Sequence, residues 1–171
     1  MILAQLLKHS NANQVVCLAP TQSKLDVLNG YGVDTILMDR KDPEIHKKAV
    51  FERFPYGVDA IVEATGSASV LPDCFQLLKK QGRLLQFSST KDDENITINP
   101  AYFYRNELQY YTSYCQVHEF GRAVDAIASG KVRLDKLVTR LYTLEQFPQA
   151  IEDVLDHSVL KLVIRPNGME D

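Results

Sequence analysis

The 171-residue sequence has few cysteines, no excess of basic residues and no long apolar run, and each shortage excludes a class of protein. Cys17, Cys74 and Cys115 are odd in number and far apart, so their spacing predicts neither a disulfide framework nor a closed zinc site; reduced thiols are expected. A net charge of −3 argues against a nucleic-acid partner. The apolar start, 1–7, is too short for a membrane span or a signal peptide, so we expect no membrane contact and a cytoplasmic location.

What the sequence contains is a repeated strand–helix pattern. Short apolar runs rich in β-branched residues end in small polar turns, and helical patterns follow them. This alternation is typical of an α/β fold with a parallel sheet. The predicted strands are 14–19, 35–38, 58–63, 82–87 and 108–115, with extended segments at 137–142 and 159–164, and the predicted helices include 1–8, 22–29 and segments from Pro43, through Leu71 and Leu78, and from Phe120.

Several local details follow from residue type. Thr21 and Asp42 are placed to cap the second and third helices, and the third helix is expected to bury Ile45, Ala49 and Val50. Asn99 and Pro100 predict a turn. Phe120, Ala123, Val124 and Ile127 mark one face of a helix, and 143–146 fits a capping box before a helix that carries Phe147, Ile151 and Leu155.

The first helix reads as the second half of a longer one, and no glycine-rich phosphate-binding turn precedes it. The expected fold is therefore an incomplete Rossmann fold, a doubly wound parallel sheet without its first strand. In the usual strand order that strand lies between 14–19 and 58–63, so each of these would face a vacancy. We expect the vacancy to close by direct pairing, to be filled by another segment or chain, or to leave the chain partly unfolded and prone to oligomerise.

Three motifs in order carry a family resemblance: Val58–Ser67 (VDAIVEATGS), Gly82–Ser88 (GRLLQFS) and Ala128–Val132 (ASGKV). The chain resembles the C-terminal part of the zinc-type medium-chain alcohol and polyol dehydrogenases, such as sorbitol and arabinitol dehydrogenases. The resemblance implies a truncated dinucleotide-binding domain at 1–133. It also implies that 134–171, a strand–helix–strand tail, belongs with a GroES-like catalytic domain that this sequence lacks.

The resemblance also implies where a cofactor would bind. Ala19 stands where NAD-dependent members carry an acidic residue, so NADP is favoured over NAD; the alternative is that the residues after it form a capped helix start with a solvated lysine. The turn after 58–63 would border the adenosine and its ribose, and the turn after 82–87 would lie near the nicotinamide. The implied cofactor-binding residues are Ala19, Thr21, Gln22, Ser23, Lys24, Thr65, Gly66, Ser67, Ser88, Ser89 and Thr90.

Tyr114, Gln116 and His118 fall where the family lines its pocket for an alcohol or polyol substrate. For His118 the competing interpretation is a helix cap or a surface residue. The family's zinc ligands belong to the absent domain, so the resemblance assigns no catalytic residue and no metal ligand here. The isolated chain is expected to be inactive.

Two other interpretations stay open. One is a non-catalytic truncated paralogue that acts as an interaction or oligomerisation module, forming a homo-oligomer through Leu108–Cys115. The other is a different Rossmann-type enzyme, such as a methyltransferase, which also binds adenosine at strand ends; those enzymes too keep a glycine-rich first loop, so the sequence does not favour them.

Overall fold

The computed structural model describes residues 1–115, 117–156 and 158–168. It confirms an α/β fold in which every strand pair is parallel. The helices are α1 Ile2–Lys8, α2 Gln22–Gly30, α3 Pro43–Arg53, α4 Leu71–Leu77, α5 Pro100–Asn106, α6 Phe120–Ala128 and α7 Phe147–Asp153, and the strands are β1 Val16–Ala19, β2 Asp34–Leu37, β3 Val58–Glu63, β4 Leu78–Gln86, β5 Gln109–Thr112, β6 Val138–Thr143 and β7 Lys161–Arg165.

The chain divides into two compact units, which are described separately. The first unit comprises Met1–Leu37 and Glu119–Asp171. In it β1 pairs with β2, and the core is formed by Ala4, Leu25, Leu28 and Val33. The buried Gln5 amide donates to the Arg133 carbonyl at 3.1 Å and accepts from the Arg133 N–H at 2.8 Å, so α1 is tied to the segment that follows α6.

The second unit, Met38–His118, contains a three-stranded sheet in the order β3-β4-β5. Its core is formed by Leu71, Phe75, Leu78 and Leu84, and Leu84 is fully buried. The Phe75 ring meets Phe103 edge-on at 4.7 Å. A short 3₁₀ helix, Ala68–Val70, leads into α4, which packs against β3 and β4. This unit carries the strand ends that matter for function.

Most predicted elements are confirmed, but the expectation of a turn at Asn99 and Pro100 is wrong. Asn99 is the N-cap of α5, and its side chain accepts hydrogen bonds from Ala101 N–H at 3.0 Å and Tyr102 N–H at 3.2 Å. Pro100 occupies the first helical position, where its missing N–H costs nothing. Asn followed by Pro is a signal common to turns and helix starts, and here it begins a helix.

The predicted face of α3 is partly wrong, whereas the predicted face of α6 lies on a helix as expected and is not buried. In α3, Ile45 is exposed and the buried positions are His46, Lys47 and Val50. In α6 no residue is buried, and Phe120 is 82% exposed. An apolar stripe at helical spacing therefore identifies the helix without identifying what it packs against.

Both of the predicted caps that rest on threonine are wrong in detail. Thr21 is the N-cap residue of α2, but its side chain makes no capping hydrogen bond, whereas Asp42 caps α3 as expected. The capping box is half formed, because Gln146 Oε1 accepts from Thr143 N–H at 3.0 Å while α7 begins only at Phe147. Leu155 lies beyond the end of α7 and is exposed.

The strand pairings bear on the expected vacancy. Among the described residues β1 pairs only with β2, and β3 only with β4, so each strand keeps one open edge. An open edge presents unpaired N–H and C=O groups that can pair with another chain. The expectation of an oligomeric or aggregation-prone chain therefore stays a prediction.

Among the described residues, no helix combines the length and the apolar character that are needed to cross a bilayer.

Charged hydrogen bonds tie β6 to α7, which gives a prediction on pH. Hydrogen bonds from Tyr142 and Gln149 hold the pKa of Asp153 below its ordinary value of 3.8. A carboxyl group whose pKa is lowered on folding stabilises the fold above its unfolded pKa and loses that contribution as the pH falls through the folded value. We expect Tyr142→Phe to lower the melting temperature at pH 7 and the difference to fade below pH 3.8.

Thermal melts followed by circular dichroism between pH 7 and pH 2.5 measure this difference. Tyr56→Phe is the control, because the Tyr56 side chain is exposed. A deficit of Tyr142→Phe that is the same at every pH would contradict the prediction.

Candidate functional site

The candidate site lies in the second unit, where β3, β4 and β5 end. Because these strands are parallel, their carboxyl ends meet at one edge of the sheet. Three turns leave that edge: 64–67 after β3, 87–90 after β4 and the segment from Ser113 after β5. Ligands of open α/β sheets bind outside this edge, so it is the first place to look for a site.

The side chain of Glu63 holds the turn after β3 by hydrogen bonds. Its side chain is buried, with 2% exposure. Oε1 accepts hydrogen bonds from the Thr65 N–H, from the Thr65 hydroxyl at 2.5 Å and from the Gly66 N–H at 3.1 Å. The Thr65 hydroxyl in turn accepts from the Ser67 N–H at 3.2 Å. The turn is therefore fixed from inside the protein, with Thr65 exposed and Gly66 and Ser67 half-buried.

The turns after β3 and β4 are in close contact. Gly66 has φ +74°, and a Cβ atom at this position would come within 2.9 Å of the Ser89 carbonyl oxygen. The Phe87 N–H donates to the Glu63 carbonyl at 2.9 Å, which aligns the ends of the two strands. Glycine is required here both for its backbone conformation and for the space.

Gln86 links β4 to β5 at the same edge. Its amide Nε2 donates to the Ser88 carbonyl at 3.1 Å, and its Oε1 accepts from the Tyr110 hydroxyl. The Tyr110 ring meets Phe75 edge-on at 5.4 Å, so this chain of contacts is anchored in the core. The Gln86 side chain, which Tyr110 holds in place, therefore fixes the turn at Ser88.

A cavity of about 400 Å³ opens between the ends of β4 and β5. Five of its seven lining residues carry a hydroxyl group, and two are aromatic. The volume is within the range of small-molecule sites. Its lining residues are Gln86, Phe87, Ser88, Ser89, Thr112, Ser113 and Tyr114.

The buried carboxyl group influences nearby titratable side chains. Burial, followed by the charges of Glu63 and Asp73, raises the pKa of the Cys74 thiol to about 12. Burial, followed by the charge of Glu63, also raises the pKa of the Tyr110 hydroxyl. Both groups stay protonated at neutral pH, so Tyr110 is available as a hydrogen-bond donor and Cys74 is no nucleophile.

The structure brings some of the predicted site residues together. Ser88, Ser89 and Tyr114 line one cavity, and Gly66 lies against Ser89. Tyr114 is 94% exposed, at the rim. Thr90 is half-buried outside that lining, His118 is exposed with φ 56°, and Gln116 lies outside the described residues.

The other predicted residues belong to the first unit, where β1 ends and α2 begins. Ala19 is the last residue of β1, and Thr21 precedes α2. The Gln22 amide donates to Asp26 at 2.7 Å, so its donor is partly engaged. Ser23 is exposed and Lys24 half-buried, and no salt bridge joins Lys24 to another residue of the described ranges.

Sequence reasoning missed Glu63, Gln86, Thr112 and Ser113. The last two were hidden because the predicted strand was extended to Cys115, whereas β5 ends at Thr112. The signal that could have found Glu63 is a carboxylate at the end of an otherwise apolar strand, followed by Thr-Gly. A buried carboxylate there needs donors, and the next turn supplies them.

The described residues fit a nicotinamide dinucleotide better than a metal ion. A glycine that permits close approach and a hydroxyl-lined cavity at the strand ends suit a nucleotide. Within 1–115, 117–156 and 158–168 no group of three His, Cys, Asp or Glu side chains is placed to hold a metal ion. Zinc does not fit these residues.

Comparison with known proteins gives consistent results. Residues 1–129 match the family described as zinc-binding dehydrogenases. D-arabinitol dehydrogenase 1 of Uromyces fabae is 32% identical over 169 residues, a match that covers 98% of this chain and 48% of that enzyme. Sorbitol dehydrogenase of Bacillus subtilis strain 168 is 28% identical over 113 residues, covering 65% of this chain and 32% of the relative. The chain spans about half the length of the arabinitol dehydrogenase.

A solved structure gives the same fold. It is described as a zinc-binding dehydrogenase from Sinorhizobium meliloti 1021 bound to NADP, and it superimposes with a TM-score of 0.84 at 21% identity. The match covers 95% of this chain and 48% of the other. It confirms the α/β fold with parallel sheets, as in a partial Rossmann domain.

The contact between the two turns predicts the effect of adding one methyl group. Gly66→Ala places a Cβ against the Ser89 carbonyl and puts alanine at positive φ, so we expect it to destabilise the chain by about 2–4 kcal/mol. Gly130→Ala is the matched control, because Gly130 also has φ +74° and nothing lies within 4 Å of its Cβ position. That variant should cost about 1–2 kcal/mol.

Denaturant unfolding measures the two costs, and NMR shifts of the Ser88 and Ser89 amides report whether the second turn moves. Equal costs for the two variants would show that Gly66 is needed for its φ alone.

Proposed function

The chain belongs to the zinc-binding dehydrogenase family, and we propose that it forms the cofactor-binding portion of an NAD(P)-dependent alcohol or polyol dehydrogenase. In this proposal 1–133 is the truncated dinucleotide-binding domain, and 134–171 belongs with the family's catalytic domain. Family membership supports the reaction class, and the arrangement of the strand ends supports the part proposed for this chain.

The observation that carries the proposal is the cavity between the ends of β4 and β5, next to the glycine turn after β3. NAD(P) supplies the group that accepts hydride. The chain's own residues would bind and orient it: the 65–67 turn on the ribose side, and Ser88 to Thr90 on the nicotinamide side. Small residues and backbone groups allow the flat rings to approach closely.

We propose NADP as the preferred cofactor. Ala19 brings no carboxylate to the end of β1, so this residue would not repel a 2′-phosphate. Lys24 lies within the first turn of α2 and could pair with the phosphate, together with the hydroxyls of Thr21 and Ser23. The NADP in the Sinorhizobium structure supports this choice by analogy.

We propose a small alcohol or polyol as the substrate of the complete enzyme, in line with the arabinitol and sorbitol dehydrogenases that the chain resembles. Tyr114, Gln116 and His118 would line part of that pocket. No residue of this chain is assigned a catalytic role, and we propose that the chain alone does not oxidise alcohols, because the family's zinc ligands lie on another domain.

The proposal predicts weak but selective cofactor binding. The sequence contains no glycine-rich phosphate-binding turn, and losing two or three charge-assisted hydrogen bonds costs about 3–6 kcal/mol, or two to four decades in affinity. NADPH should bind with an affinity in the range of hundreds of micromolar to millimolar, and more tightly than NADH. Lys24→Met should weaken NADPH binding several-fold and leave NADH unchanged.

Titrations followed by NMR amide shifts measure affinities in this range. Lys48→Met is the control, since Lys48 lies on α3 with an exposed side chain. Binding of either cofactor at low micromolar concentration would contradict the prediction of weak binding, and equal losses for NADPH and NADH would contradict the assignment to Lys24.

The second candidate function is an interaction module, in which the chain pairs with a copy of itself. The observation in its favour is β5, which ends the order β3-β4-β5 and is exposed at all four positions. Tyr111 is 52% exposed, although aromatic side chains in a strand ordinarily pack against a neighbour. A copy paired along β5 would continue the sheet.

This candidate predicts an oligomer that depends on β5. Tyr111→Lys adds a charge to the strand edge and should shift the chain toward the monomer, because charged edge residues oppose edge-to-edge pairing. Size-exclusion chromatography with light scattering measures the mass. Tyr56→Lys is the control, as Tyr56 is exposed in a turn of the same unit. If the wild-type chain remains a monomer when its concentration in this measurement is raised 100-fold, this candidate is eliminated.

A further inference from the structure

Among the residues that the structure describes, Glu63 is the one buried carboxyl group that the proposed function leaves without a role. Its side chain ends β3 with 2% exposure, and no ion pair joins it to another described residue. Oε1 accepts three hydrogen bonds, whereas Oε2 is buried without any partner among the described residues. A buried acidic group depends on its donors, and here every donor comes from the turn that follows.

The dependence between Glu63 and the turn is mutual. Without Oε1, the N–H groups of Thr65 and Gly66 would lose their common acceptor, and of the described hydrogen bonds within the 65–67 turn that from the Ser67 N–H to the Thr65 hydroxyl would remain. The Thr65 hydroxyl donates its only proton to Oε1 and accepts a hydrogen bond from the Ser67 N–H. Toward a ligand, that hydroxyl can act only as an acceptor.

We propose that Glu63 is the positioning residue for the adenosine side of the cofactor site: its buried carboxyl oxygen fixes the 65–67 turn in the one shape that leaves its outer face free for the ribose. This inference rests on the proposed function. It assigns Thr65 first to the scaffold of the site, and it leaves direct contact with the ribose to the outer face of Gly66 and Ser67.

Two substitutions separate positioning from general stability. Glu63→Gln keeps an acceptor oxygen in place, whereas Glu63→Met has a similar length, suits a buried site and accepts no hydrogen bond. Glu52→Met, on the exposed side of α3, is the matched control. Each full-length variant is examined by thermal melting, amide hydrogen exchange and NMR titration with NADPH and with ADP-ribose.

We expect Glu63→Met to reduce exchange protection at Thr65 and Gly66 by about tenfold to a hundredfold, with the rest of the second unit unchanged. Affinity for both NADPH and ADP-ribose should fall about tenfold, because both probes carry the adenosine ribose. Glu63→Gln should restore protection and affinity to within about threefold of the wild type. The control should match the wild type in every measurement.

Three results would overturn the inference. If Glu63→Met lowers protection at the turn while both probes bind as to the wild type, the turn has no part in binding. If protection falls across the whole second unit together with the melting temperature, or is not restored in Glu63→Gln, Glu63 is a general stabilising residue. If neither probe shifts any amide of the wild-type chain, the proposed function fails and the inference with it; the first two results leave the proposed function standing.

Discussion

Parallel pairing of β3, β4 and β5 is the constraint on which the candidate site depends. Parallel strands must each return through a crossover, so all three end at the same edge, and the turns that follow them are forced together there. The contact between Gly66 and the Ser89 carbonyl is a direct consequence. Leu84 of β4 and Phe75 of α4 belong to one buried core, which holds the sheet and therefore the strand ends from which the turns leave. The site is thus built mainly from backbone and small side chains, and its shape comes from the sheet.

The same constraint explains how much the sequence could predict. Periodicity located β3 with its exact bounds, and cap chemistry located α3, because both signals are local. The apolar face of α6 was a different case. The stripe from Phe120 to Ile127 was read correctly as helical, but whether such a stripe is buried depends on segments distant in sequence, and in this chain it is exposed. A local pattern carries no information about that partner.

The site residues also divide into those that a local sequence signal predicts and those that it does not. Gly66, Ser88 and Ser89 were predicted because a turn after an apolar strand is itself a sequence signal. Thr112 and Ser113 were missed because strand ends are uncertain by a few residues. The predicted strand continues three residues beyond the end of β5, which places both residues inside the strand and not at its end. Gln86 was missed for a physical reason: it acts through its contacts with Ser88 and Tyr110, which exist only once β4 and β5 are paired.

Two buried ionisable side chains of the second unit show why burial alone does not identify a functional residue. Burial lowers the pKa of Lys47, but hydrogen bonds with Asp73 and Glu44 outweigh it and raise the pKa, and Gln76 accepts a further bond at 3.0 Å. These partners lie on α3 and α4, so Lys47 joins two helices. The Glu63 side chain has partners only in the turn that it precedes, and one of its carboxyl oxygens has none among the described residues. A buried group whose donors all belong to one surface turn contributes little to joining the elements of the fold, and its effect is concentrated on the shape of that turn.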